Sequence, residues 1–292
     1  MIPGLHSPAG KHSLKGVVMK ENNHSKSVIS IFTFILTLQI ISFAGASITV
    51  PSQGIKSITA GLAKAKSGDT VWVLPGTYKE DITIMSGVTL ISRELFKAVI
   101  DGKSRGDVVS ISHKSTIVGF EVRNGNTGIL SRGPGNTIRK CKIYKNRGSG
   151  IICMGSLAKI EHNVIVFNEG SGIQALDIAS GTTTINHNTI AYNGNNGIMF
   201  SGTIGITIQN NIIANNAGQG IKSAVDEKKI KVTHNCFHAN HQFNFTLPEN
   251  NFSFDPRFTA PKRRSLDFTL QKDSEAIKKG NDNQDLGALF GK

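Results

Sequence analysis

Acidic residues, cysteine and leucine frameworks are all scarce in this chain, and each scarcity removes a class of reading. Cysteine occurs three times, at Cys141, Cys153 and Cys236. An odd count permits at most one intrachain bridge, and there is no CxxC, so neither a disulfide scaffold nor a cysteine-held zinc site is encoded. Buried free thiols are the simpler reading. Asp and Glu number 20 against 33 Lys and Arg over 292 residues. Within the repeated region described below, carboxylates are limited to Glu121, Glu161, Glu169, Asp177, Asp226 and Glu227. No nucleic-acid-binding motif accompanies the basic excess. After Phe43 no further apolar run is long enough to suggest a membrane segment.

What the chain does have is repetition. Between Ile117 and Asn240 the pattern Asn-x-x-x-Gly-Ile returns five times, starting at Asn124, Asn146, Asn168, Asn193 and Asn216. The Asn-to-Asn steps are 22, 22, 25 and 23 residues by subtraction. A second register lies between these copies. It reads Ile-x-His-Asn at Ile160–Asn163 and Ile185–Asn188, Ile-x-Asn-Asn at Ile208–Asn211 and Val-x-His-Asn at Val232–Asn235. A period in the low twenties indicates a solenoid. Leucine-rich repeats share that period, but their leucine framework is missing. The apolar positions are mostly Ile, Val and Phe in short segments, which suit strands. Each coil would lay three short strands end to end and pair in parallel with the next, stacking Ile129, Ile151, Ile173, Ile198 and Ile221 in the core. Asn at the bends tolerates unusual backbone angles and can bond its counterpart one rung away. The Gly before each Ile is expected to supply a sharp turn.

The ends of the chain read differently. Lys20 and Lys26 precede the apolar run Val28–Phe43, and Ala44-Gly45-Ala46 fits a small-residue cleavage pattern. Residues 1–46 are therefore expected to be a secretory signal cut before Ser47, with Met19 an alternative start. Removing them takes away four Lys and one Glu, leaving 29 basic and 19 acidic residues, a net +10. A basic exported protein attracts acidic glycans, anionic cell-wall polymers or membranes. Residues 47–116 read as an N-terminal cap and first coils. Ile55, Ile58, Leu62 and Ala65 have helical spacing, so a capping helix is expected within 54–66. Residues 117–240 hold the repeats. Residues 241–292 read as an irregular C-terminal cap folded over the last coil.

The two repeat registers, together with the opening Gly68-Asp69-Thr70-Val71…Pro75-Gly76-Thr77-Tyr78 and the closing Asp285-Leu286-Gly287, give a chain that resembles the right-handed parallel β-helix proteins of the pectate-lyase-like superfamily. The resemblance covers roughly residues 47–290 and is to the generic repeat family. It implies an all-β, right-handed parallel β-helix, and it implies action on polysaccharides, in some members with calcium. The local motifs of its enzymes are missing: no Asn-Thr-Asp, Asp-Asp, Gly-His-Gly, Arg-x-Pro-x-x-Arg or Asp-Pro-His-Asp occurs. Paired carboxylates on adjacent rungs, needed for acid/base glycan cleavage, are not evident.

One constellation remains. His162, His187 and His234 share the slot before the ladder Asn, with Asn210 filling the coil between the last two. Neighbouring rungs lie about 5 Å apart, so His162 and His187, with Glu161, are candidate proton-transfer residues or a metal-holding pair. Arg139, Asn186 and Gln209 join Glu161 in an outward polar row and are candidate substrate contacts, with Tyr144 and Tyr192 as candidate sugar-stacking rings. The same slot is also one where a solenoid turn favours His for structural reasons. Three classes of function stay open. One is an exported protein that binds or processes an extracellular, acidic polysaccharide, as lyase, hydrolase or epimerase if it is an enzyme. Another is a non-catalytic surface protein. The third is a metal-delivery factor similar to the periplasmic accessory β-helix proteins of nitrous-oxide reductase. The metal and the oligomeric state are not set by the sequence.

Overall fold

The computed structural model describes residues 45–290, apart from 105, 179–181, 203–204, 225–228 and 242–247. The expected signal segment, all but its last two residues, and two of the acidic positions, Asp226 and Glu227, lie outside the described residues. Alternation of β-branched and polar residues over three to six positions forms short strands, and these stack coil upon coil into three parallel sheets. Sheet I has nine strands, from Ser47–Val50 to Ile230–Thr233. Sheet II has seven, from Ile82–Ile84 to Ile221–Ser223, and sheet III has eight, from Gly76–Tyr78 to Cys236–His238. The result is a right-handed parallel β-solenoid of about eight coils. Among the described residues no helix is long and apolar enough to cross a membrane.

One column from each sheet fills the interior. Ile129, Ile151, Ile173, Ile198 and Ile221 pair rung by rung in sheet II. Ile117, Ile138, Ile160, Ile185 and Ile208 do so in sheet I. All ten are fully buried. Each such side chain contributes about 1.5–3 kcal/mol of transfer free energy, and none could be buried by a single coil alone.

Two tight corners flank sheet III, and each has the same construction. A residue in the left-handed region is followed by an inward-facing ladder residue, which is Asn in most coils and Cys141 after Lys140. At the corner entering sheet III the left-handed residues are Lys140, His162, His187, Asn210 and His234, with φ between 49° and 57°. The Asn that follows donates its Nδ2 to the next rung's Oδ1: Asn163 to Asn188 at 3.0 Å, Asn188 to Asn211 at 3.0 Å and Asn211 to Asn235 at 2.9 Å. At the corner leaving sheet III, Asn146, Asn168, Asn193, Asn216 and Asn240 form a second ladder with spacings of 2.9–3.0 Å. The first copy departs from expectation. Asn124 is the left-handed residue (φ 59°) and bonds Asp101, while Gly125 holds the ladder slot and donates its N–H to Asn146.

The glycines before each Ile are not sharp turns. Gly128, Gly150, Gly172 and Gly197 are absent from the positive-φ residues. A Cβ on Gly172 would sit 2.4 Å from Ile190 Cγ2 and 2.7 Å from the Gly197 carbonyl. Glycine is required there because successive coils approach too closely for any side chain. The three cysteines are free and buried, and the Cys141 N–H bonds Asn163 in the ladder slot expected for it.

At the N-terminal end the helix is shorter than expected, Ile58–Leu62, capped by Ser57 Oγ on the Ala60 N–H. Ile58 and Leu62 enter the main core. At the other end, Asn251 accepts from Asn235 and extends the ladder by one rung. The rest of the C-terminal segment does more than close the last coil. Phe258, Phe268, Ala276 and Leu286 cluster with Tyr144, Val164, Val166, Ala191 and Ile212 on the outer side of sheet III. That is why Val164–Val166, Thr189–Ala191 and Ile212–Ala214 are buried at every residue.

Candidate functional site

Sheet I exposes its outer face, and the register there aligns the expected row. Arg139 pairs with Glu161, Glu161 with Asn186, and Asn186 with Gln209. Strand alternation points the flanking Ile138, Ile160, Ile185 and Ile208 inward, so these four side chains project outward together. Arg139 is exposed and has no ion-pair partner among the described residues. Glu161 is held by Lys159 at 3.0 Å along its own strand.

The His pair stands at the edge of this row. His162 and His187 rings stack with centroids 5.2 Å apart and planes 8° from parallel. Their backbones occupy the left-handed corner slot, where His and Asn are favoured over most residues, and Asn210 fills the same slot in the following coil. His187 is 1% exposed. Its Nε2 lies 2.7 Å from Asp282 Oδ2; a carboxylate only accepts, so Nε2 carries the proton. Burial opposes ionisation of Asp282, but the His187 bond, the backbone N–H of Gln284 and the attraction of the imidazole together outweigh it and hold the carboxyl below its usual range. Burial, then the neighbouring His187, pushes His162 down to about 4, so its imidazole is neutral near pH 7. Both Nδ1 atoms are buried without a hydrogen-bond partner.

Asp282 belongs to a turn of the C-terminal segment that closes one side of the row. Asn210 Nδ2 donates to Asn186 Oδ1 at 3.1 Å and to Asn281 Oδ1 at 2.8 Å, and the Gly287 N–H reaches the Asn210 carbonyl. Sequence reading missed this contact, because 95 residues separate His187 from Asp282 and nothing periodic links them.

The two tyrosines sit away from the row. Tyr144 is 3% exposed, donates its hydroxyl to Glu121 at 2.7 Å and accepts from Arg123 at 3.2 Å. Burial, then the Glu121 bond, pushes its phenol up to about 12. Arg123 in turn pairs with Asp101 at 2.9 Å. Tyr192 packs between Phe167 and Phe268 under the C-terminal segment. Neither presents a free ring face to the row. The donor set does not fit calcium either. That ion takes six to eight oxygens, and among the described residues no three His, Cys, Asp or Glu side chains converge on one point.

The fold recurs in solved structures. An alginate lyase from Paenibacillus sp. str. FPU-7 aligns at 18% identity and TM-score 0.45, over 67% of this chain and 77% of its own. A mannuronic-acid-specific family 6 polysaccharide lyase from the human gut microbiota aligns at 15% and 0.54 over 66% of this chain, which spans only 54% of that enzyme. Pectate lyase Pel9A aligns at 15% and 0.43, over 85% and 98%. At these identities the likeness is one of fold. No curated protein sequence is significantly similar to the chain. Residues 107–253, half of the chain, match the family described as the right-handed β-helix region, with strands, ladders and register all consistent with that match. The chain belongs to the right-handed β-helix family.

Proposed function

We propose that this protein binds an acidic polysaccharide outside the cytoplasm, on the outer face of sheet I. The observation that carries the reading is the in-register row of Arg139, Glu161, Asn186 and Gln209. Equivalent positions recur about every 4.8 Å, close to the length of one sugar unit, so successive sugars meet successive polar side chains. Arg139 supplies an unpaired guanidinium for bidentate pairing with a uronate carboxylate. Asn186 and Gln209 offer both donors and acceptors for hydroxyls. The leader read in residues 1–46 supports export. A lyase specific for mannuronic acid, a uronate, has a similar solenoid, which supports a polyuronate as the ligand.

The geometry favours binding over turnover. His187 is sealed beneath Asp282, and Glu161 is tied to Lys159. No titratable pair on the row is both open and free. A carbohydrate array spanning uronate polymers and neutral glucans, read with and without calcium, tests the reading. Uronates should bind, neutral glucans should not, and Arg139→Ala should weaken binding tenfold or more. Equal binding by the variant, or no uronate binding, overturns it.

A further inference from the structure

The row does not end at Arg139. Continuing toward the N-terminus on the same outer column, Arg139 pairs with Val118, Val118 with Ile91, and Ile91 with Trp72. All three are partly exposed. The parallel column beside them runs Thr137, Thr116, Thr89 and Thr70. This end of sheet I is therefore flat and uncharged, with methyl groups and hydroxyls alternating across it. Its far end carries an indole fixed in place by its own Nε1–H, which donates to Ser47 Oγ at 3.1 Å. The Arg93 guanidinium lies over that ring, 5.2 Å from its centre. Like Arg139, Arg93 has no ion-pair partner among the described residues, and it follows directly on the strand two rungs from that of Arg139.

We infer that the ligand is an unbranched polyuronate lying along the solenoid axis, anchored a second time at Trp72 and Arg93. This rests on the function proposed above and adds the ligand's direction, minimum length and second anchor. From Trp72 to Gln209 is six strand steps, roughly 29 Å. The strand that leads into Arg93 lies two steps from that of Arg139, about 10 Å along the axis. In an extended chain whose successive sugars turn over, alternate units present their carboxylates on the same edge, which is the spacing two guanidiniums on one face can meet. Between these charges, Ile91, Val118 and the threonine methyls suit the C–H faces of pyranose rings, and the indole gives the last ring a stacking surface. A branched polymer would be lifted off so flat a face, and a neutral glucan would leave both guanidiniums unpaired.

Trp72 is the sole tryptophan in the chain, so its fluorescence reports occupancy of this end alone. Oligouronates of increasing length should be titrated into the mature protein, following affinity by calorimetry and Trp72 emission in parallel. Short oligomers should bind through Arg139 and leave the emission unchanged. Chains long enough to span the face should change the emission and bind at least tenfold more tightly. Trp72→Ala and, separately, Arg93→Gln should abolish that gain in affinity while leaving short-oligomer binding as it was. Both positions point outward, so circular dichroism and melting temperature should match the parent. Arg139-dependent binding with no length-dependent emission change, and with Trp72→Ala and Arg93→Gln at parental affinity for long chains, overturns the second anchor and leaves the first reading intact. No binding of any uronate, long or short, overturns both.

Discussion

His187 Nε2 and Asp282 Oδ2 meet at 2.7 Å across 95 residues of sequence, tying the C-terminal turn to the corner that follows Asn186 of the outer row. The imidazole is buried, whereas the carboxylate side chain is 36% exposed. Water therefore screens the pair, and its contribution is expected to be about 1 kcal/mol or less. The Asp282 carboxyl titrates below 3.8 in the folded protein and near 3.8 when unfolded. A depressed carboxyl stabilises fully above its unfolded value, and that stabilisation is lost as pH falls through the lower folded value.

The first prediction follows from that sign. Asp282→Asn should lower the melting temperature modestly near pH 7. It should also flatten part of the parent's loss of stability below about pH 4. Thermal unfolding followed from pH 7 to pH 2 checks this. A variant curve parallel to the parent's at every pH would show that the contact carries no ionic component.

The Asn ladder gives a larger effect. Asn188 donates from its backbone N–H to Asn211 Oδ1 at 2.8 Å and from Nδ2 to the Ile160 carbonyl at 2.9 Å, and its Oδ1 accepts the Asn163 N–H at 2.9 Å. Asn188→Ala removes the side chain that satisfies two buried backbone groups, at a cost on the order of 1–3 kcal/mol for each. Asn124→Gly is the matched control, because Asn124 lies off the ladder, its side chain bonds the partly exposed Asp101, and glycine accepts its left-handed backbone. Denaturant midpoints should fall strongly for Asn188→Ala and little for Asn124→Gly. Equal losses would mean that the ladder is no more important than a surface bond.

That contrast also shows what the sequence could reveal. The ladders were legible because they are periodic: Asn, Gly and Ile recur wherever a coil must bend, close in or fill the core. The slip at Asn124 arose because the pattern step and the strand step differ. Arg123 pairs with Tyr144, a step of 21, while Ile129 pairs with Ile151, a step of 22. One residue is missing from the corner of that coil, and a repeat of Asn hides the shift. The glycines were visible, but their reason was not, since a clash with the next coil's backbone is a three-dimensional fact. The polar row was legible through period-two alternation combined with the coil length. Tyr144 looked available because the same alternation places it outward from sheet III, and only the folding of Phe258, Phe268 and Leu286 over that sheet buries it. Asp282 and the Trp72–Arg93 contact belong to no repeat, so periodicity could not reach them.

The last prediction concerns His162. In the folded protein its imidazole titrates at about 4, lowered first by burial and then by the facing His187; Lys140 and Arg139 push the same way, and only Glu161 opposes them. In the unfolded chain it titrates near 6.5. Between those values the unfolded state holds the extra proton. Stability should therefore be complete above about pH 6.5, decline as pH falls toward 4, and stop changing below that through this group. The ring is partly exposed, so the full shift overstates the effect, and a loss on the order of 2 kcal/mol is expected. His162→Asn isolates it. Asn accepts the left-handed backbone that His162 adopts, as Asn210 does in the same slot two coils on. The variant should match the parent's stability near pH 7 to within about 1 kcal/mol, and should be the more stable of the two near pH 4.5. Denaturant unfolding at both pH values, with the His162 ring titrated by NMR, gives the answer. A ring that titrates near 6.5 in the folded protein, or a variant that weakens in step with the parent on acidification, would show that the stacked pair is solvated and that His162 is open to charge beside the row.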